Sequence, residues 1–313
     1  MVSDTGGIND RSFNASAWAG LQQAGATLPV DVSFQESKAA SDYTPKINSE
    51  IQSGCKLIVT VGFTLADATQ KAAIANPNVD FALIDSTTTK PLPNVRPLLF
   101  DTAQPSYAAG YLAAGMSKTG KVGTFGGLDI PPVTDYMTGF YQGVMGYNTA
   151  HKTKVVVLGW NPAKPSASTF AGGFTDQAAG QTIAQGFLNQ GADILFPVAG
   201  GLGLGAPAAI KQSGSTSDAV IWVDSDGYIS APQYKGLFLT TVIKGINVAV
   251  LDTVTIFTKG QFTNTPYTGT VANKGVGLAP YHEWATKVPT TLQNETTQVL
   301  ADIASGKIIV KNS

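Results

Sequence analysis

The chain has 313 residues, more than one hydrophobic core usually supports, so a pair of lobes is expected from length alone. Its 20 basic and 21 acidic residues nearly cancel to a net charge of −1, and no long basic run is present, which excludes an electrostatic footprint for nucleic acid. Only 13% of the residues are charged, no run approaches the ~20 apolar residues of a membrane-spanning helix, and the single cysteine, Cys55, excludes an internal disulfide.

Short apolar strands alternate with helical periodicity along the chain, the pattern of an α/β protein with parallel sheets. Met1-Val2-Ser3 leads abruptly into Asp4 where a fuller first strand would stand, so a precursor trimmed of its export signal is expected. There follow a helix over 12–25, a strand over 30–35, a helix over 42–53 opened by Ser41-Asp42, a strand over 56–61, a helix over 65–76, and strands over 80–85 and 97–101. Cys55 precedes the apolar run 56–59 and reads as a buried structural thiol. Helices over 105–117, 132–149, 176–190, 205–213 and 245–259 then alternate with strands over 121–126, 154–159, 193–199, 219–224 and 237–243. Asp176 stands at one helix start, and Gly54, Gly191 and Gly214 mark helix ends. After residue 260 the sequence turns Thr-, Gly- and Asn-rich before a last helix over 289–305, a tail expected to cross back over two lobes already built. Each half is a run of four or five β/α units without tandem repeats. Two such halves make a cleft at the carboxyl ends of their strands, where open α/β sheets bind ligands.

The strand-to-helix loops therefore carry the candidate chemistry. The first runs from Asp4 through Gly6, Gly7, Asn9, Asp10 and Ser12 to Phe13 and Asn14; its glycines permit a tight turn and its polar residues gather at a helix N-terminus. Phe13 reads either as a ring stacked on a ligand or as a core residue. Phe63, after Gly62, reads first as a core residue and second as a ligand neighbour. Asp101 ends a strand, either as a cap for the next helix or as an acceptor for a ligand amine or ring N–H. In the second half Trp160 and Phe174 follow glycines, and a Phe from each half would sandwich a flat ring. The turn 197–206, containing Gly200, aims backbone N–H groups at an oxygen-bearing ligand. Asp224 and Asp226 close a strand, and either carboxylate can accept two vicinal hydroxyls, as a ribose diol requires. Lys244 ends an apolar run, to donate to a ligand hydroxyl or to pair with one of those aspartates. His151 and His282 sit in polar flanks and are expected to face solvent, with no zinc-type or nucleophile motif beside them.

These segments carry a family resemblance. DTGGINDRSFNASAWAGL, VGFTLADA, PNVDFALID, FD with SYAAGYLAA, GGFTDQAAGQTIAQGFLNQGADILFPVAGGLGLG and VDSDGY resemble, in order and over nearly the whole chain, the basic membrane protein family, substrate-binding lipoproteins of ABC importers that include the purine nucleoside receptor type. The resemblance implies a type I periplasmic-binding-protein fold of two Rossmann-like lobes joined by three crossovers, an extracytoplasmic place on a lipid anchor, an ABC permease as partner, a nucleoside ligand, and no cofactor or catalytic residue. It implies lobes of 1–118 with about 245–278, and 119–244 with about 279–313. Phe13 and Phe174 match the aromatics that clamp the base, Asn14 and Asp101 the groups that read its edge, and Gly200, Asp224 (or Asp226) and Lys244 the ribose contacts. Trp160 and the Pro- and Ser-rich stretch 161–169 depart from the family pattern, as does the missing lipid-bearing cysteine.

Other readings stay open beside it. Gly201-Leu202-Gly203-Leu204-Gly205-Ala206 fits the G-x-G-x-x-A of a dinucleotide-dependent enzyme, with Asp224 about 20 residues on, though no acid, base or metal set accompanies it. The sensing module of a regulator would use the same fold, and a sugar or another small polar ligand would suit the same cleft. The Asp-Ser-Asp-Gly run lacks the later ligands of an EF-hand.

Overall fold

The computed structural model describes all residues, Met1–Ser313. Its regular elements in chain order are α1 Phe13–Thr27, α2 Tyr43–Gln52, β1 Leu57–Val61, α3 Ala66–Ala75, β2 Asp80–Ile84, β3 Val95–Phe100, α4 Ala103–Met116, β4 Lys121–Gly126, α5 Pro131–His151 and β5 Val156–Leu158. They continue with α6 Gln177–Asn189, β6 Ile194–Val198, α7 Gly205–Ser213, β7 Ala219–Asp224, α8 Gly227–Ser230, β8 Phe238–Lys244, α9 Ile246–Thr258, β9 Tyr267–Gly269, β10 Val276–Leu278 and α10 Thr290–Ala304. The chain divides into two units, Met1–Phe100 with Gly245–Gly269, and Asp101–Lys244 with Thr270–Ser313.

In the first unit the sheet order is β1-β2-β3-β9, all parallel. Side chains alternate across a strand, so successive apolar residues serve opposite faces. Ile58, Phe81 and Leu83 pack with α2 and α3 through Ile47 and Ala72. Val59, Val61, Ala82 and Ile84 pack with α1 and α9 through Leu21 and Val250. A sheet covered on both faces explains why its strands read as unbroken apolar runs. The expected strand 30–35 shrinks to one bridge, Gln35 to Val2, because the segment beside it, which also bridges Thr60 of β1, pairs only at Val2.

The second unit has the order β10-β8-β7-β6-β4-β5, parallel except for β10, which runs antiparallel to β8. Phe196, Ile221 and Val223 face α4, α5 and α10, while Phe125, Leu195 and Trp222 face α6 and α7. Helices α4 and α5 meet backbone to backbone: a Cβ on Gly110, Gly139 or Gly143 would collide with the carbonyl of Phe140, Ala103 or Tyr107. That seam corrects the expected lobe boundary at 118. It assigns α4 to the second unit, so the first segment ends at Phe100. The expected boundary at 278 moves to Gly269 because β10 pairs with β8. No helix is long and apolar enough to cross a membrane.

Candidate functional site

In the first unit two loops converge at the carboxyl end of β1. A Cβ on Gly62, whose φ is 114°, would lie 3.3 Å from Asp4 Oδ2 and 3.5 Å from the Phe13 ring, so the close of β1, the first loop and the start of α1 touch there. Ser12 holds the N-cap position without a side-chain capping bond. Asp10 does the capping instead: Oδ1 accepts from the N–H groups of Ser12 and Ala15, both at 3.0 Å, and Oδ2 from that of Asn14 at 2.8 Å. Burial pushes the Asp10 carboxyl up to about 6 against those hydrogen bonds, with a smaller upward push from Asp4.

Asn14 is 1% exposed. Its Nδ2 donates to Asp4 Oδ1 at 2.7 Å and to Asp10 Oδ2 at 3.1 Å, while its Oδ1 is buried with no hydrogen-bond partner. Asn9 is exposed. Phe63, expected in the core, is 38% exposed, because it opens a 3-10 turn after β1 and does not continue the strand. Cys55, expected to be buried, is half-buried. Its thiol donates to Glu50 Oε2 at 3.1 Å, and burial, reinforced by Glu50, pushes it up, away from reactivity. Cys55 lines a cavity of about 360 Å³ with Leu21, Val32, Leu57 and Phe257, at the amino end of β1 and away from the loops above.

In the second unit Asp101 follows β3. Its Oδ2 accepts from Gln104 Nε2 at 2.8 Å and its Oδ1 is buried without a partner, while the N-cap position of α4 falls on Thr102. Burial raises the Asp101 carboxyl above its usual range, with Asp135 adding and Gln104 opposing. Phe174 comes together with Gly200 and Gly127: a Cβ on Gly127 would collide with the Phe174 ring, and one on Gly200 would touch Phe174 Cβ at 3.8 Å. Only a glycine at 127 leaves room for that ring.

Asp224 and Lys244 close the neighbouring parallel strands β7 and β8. They are 6% and 3% exposed. Asp224 has φ 66°, a left-handed conformation that Asp adopts more readily than most non-glycine residues. Tyr136 of α5 donates to Asp224 Oδ1 at 2.7 Å, and Lys244 Nζ lies 5.8 Å from the centre of the same ring. Asp226, the alternative ribose carboxylate, is engaged on both oxygens: Oδ1 accepts from the N–H of Tyr228 as the cap of α8, and Oδ2 meets His282 Nε2 at 2.7 Å.

His282 is thus paired and stacked on Tyr228 at 4.1 Å, a correction to its expected solvent-facing place. His151 is partly exposed but likewise paired, with Glu295 at 2.8 Å. Trp160 is buried against Phe170, and its indole N–H donates to Thr138, which makes it a core residue. The turn at Gly200–Leu204 is 3-10 helical, and Gly205 seats α7 on the backbone of α6, so that glycine serves helix packing.

Tyr136, Gln104, Gly127 and the capping role of Asp10 escape sequence reasoning. Asp10 alone left a signal there, a carboxylate two residues before the N-cap.

Each unit is built on a largely parallel α/β sheet, and the fold is that of the type I periplasmic binding proteins. A solute-binding protein of an ABC transporter system from Aeropyrum pernix K1 superposes with a TM-score of 0.89, at 25% identity over 100% of this chain and 93% of that one. The arabinose-binding protein AraP of Geobacillus stearothermophilus, at 15% identity over 93% and 98% of the two chains, shares the fold with a TM-score of 0.65. A curated relative from Lactococcus lactis subsp. cremoris, the ABC transporter nucleoside-binding protein BmpA, is 32% identical over 99% of this chain and 88% of its own length. The family model described as Bmp, ABC transporter substrate-binding protein PnrA-like, matches residues 1–313, and the chain belongs to that family. Its members bind a small molecule for an ABC transporter on the extracytoplasmic side and are not enzymes, which removes the dinucleotide-enzyme reading.

Proposed function

We propose that the chain is a nucleoside receptor, with a purine as its preferred base, which delivers its ligand to an ABC permease while a lipid anchor holds it at the membrane. One observation carries this reading: each unit has a buried acceptor without a partner, Asn14 Oδ1 in the first and Asp101 Oδ1 in the second. Each such group costs about 1–3 kcal/mol while unsatisfied, and a base edge bearing N–H or NH2 groups removes that cost.

The roles follow from chemistry. Phe13 and Phe174 offer ring faces to the base; Asp224 accepts from two ribose hydroxyls while Lys244 donates to one, with Gly200 backbone beside them. The Lactococcus relative, named as nucleoside-binding, supports the ligand class.

The test is calorimetry on protein unfolded and refolded to strip carried ligand, against adenosine, guanosine, inosine, cytidine, free bases and ribose. Micromolar or tighter binding of purine nucleosides, with ribose far weaker, is the expected result. Ribose or another sugar binding as tightly as any nucleoside would overturn it.

A further inference from the structure

We propose that Asp10, backed by Asp4, is a positioning residue that holds the Asn14 amide nitrogen inward, so that Asn14 meets a ligand only as an acceptor and selects bases with an N–H or NH2 donor at that edge. A side-chain amide is ordinarily ambivalent, able to turn over and offer either its donors or its oxygen. Here two carboxylate oxygens, Asp4 Oδ1 at 2.7 Å and Asp10 Oδ2 at 3.1 Å, occupy Nδ2. Turning the amide over would set its oxygen against both of them, in a site with little solvent to screen the repulsion.

Neither carboxylate can swing away freely. Asp10 is tied to three backbone N–H groups of the α1 start, and Asp4 Oδ1 also accepts from Gly6 at 2.8 Å. All three side chains are buried, and the oxygen left over on Asn14 is the one without a partner. The donor preference rests on the nucleoside reading; the clamp does not.

Two measurements separate them. In ligand-free, 15N-labelled protein, the Asn14 side-chain amide protons, assigned through Asn14→Ala, are expected to exchange at least about tenfold faster in Asp10→Asn than in the parent, as a lost charge-assisted bond implies. Equal exchange overturns the clamp whatever the protein binds. Calorimetry then compares guanosine, with two base-edge donors, and purine riboside, with none. The parent is expected to favour guanosine by at least roughly tenfold, and Asp10→Asn to shrink that ratio to about threefold or less with purine riboside little changed. Equal loss for both ligands would indicate a structural role and overturn the selection. If neither binds the parent, the nucleoside reading fails and exchange alone decides the clamp. Should Asp10→Asn fold poorly, Asp4→Asn removes the second carboxylate and is expected to act in the same direction.

Discussion

The two units present their polar groups by different means. In the first, Asn14 rides on the opening turn of a helix and is aimed by carboxylates that belong to the same loop, Asp4 and Asp10. In the second, Asp224 and Lys244 stand on strand ends, and the aiming group, Tyr136, arrives from a helix far away in sequence. The first arrangement is local and charge-held, so its weak point is a protonation. The second is tertiary, so one weak point is the long-range bond from Tyr136 to Asp224.

That contrast can be broken most forcefully at Asp224. Asp224→Ala is expected to weaken purine ribosides at least roughly a hundredfold while changing free bases less than about threefold, because only the sugar loses its acceptor. Equal losses by calorimetry would remove Asp224 from the sugar. A smaller effect is expected from Tyr136→Phe, which keeps the ring beside Lys244 and deletes only the hydroxyl that donates to Asp224. Riboside binding should fall about tenfold, in line with one hydrogen bond to a charged group, with unchanged folding by circular dichroism. Unaltered affinity would show that the Tyr136 hydroxyl does not aim Asp224.

A pH effect on stability sharpens the first unit. Because the folded Asp10 carboxyl titrates near 6 and the unfolded one near 3.8, the folded state holds a proton between those values that the unfolded state lacks. Stability contributed by that proton is present below about 4 and is lost as pH rises through about 6. Denaturant unfolding from pH 4 to 7 should show a wild-type curve that falls relative to Asp10→Asn by at most one proton's slope, about 1.4 kcal/mol per pH unit, and runs parallel above 7. Parallel curves throughout would mean that Asp10 titrates in the ordinary carboxylate range.

Much of the fold was legible because β1 to β8 are apolar runs, most of them spaced by helices, a pattern that burial on both sheet faces imposes. β9 and β10 escaped because three residues, Tyr267–Gly269 and Val276–Leu278, are too few to show a period, and both lie in Thr- and Gly-rich sequence. The unit boundary was misplaced because nothing in the composition changes at Asp101; glycines facing carbonyls across α4 and α5 decide it, and those are visible only once the helices are packed. At the candidate site, residues on strand ends were readable from their position after an apolar run. Tyr136 was not, since in mid-helix it looks like any core aromatic, and Trp160, read beside a glycine, proved to be one.

The chain passes from one unit to the other three times, after Phe100, Lys244 and Gly269. No single cut in the gene therefore yields a whole unit. A fragment ending at Phe100 would bare Ala17 and Leu21, which α9 covers, and leave β3 without β9. A fragment covering 101–244 would lack β10 and α10. Recombination between relatives can exchange an intact first unit only as a two-piece cassette, which ties the inheritance of the Asn14 loop to that of a helix more than two hundred residues downstream.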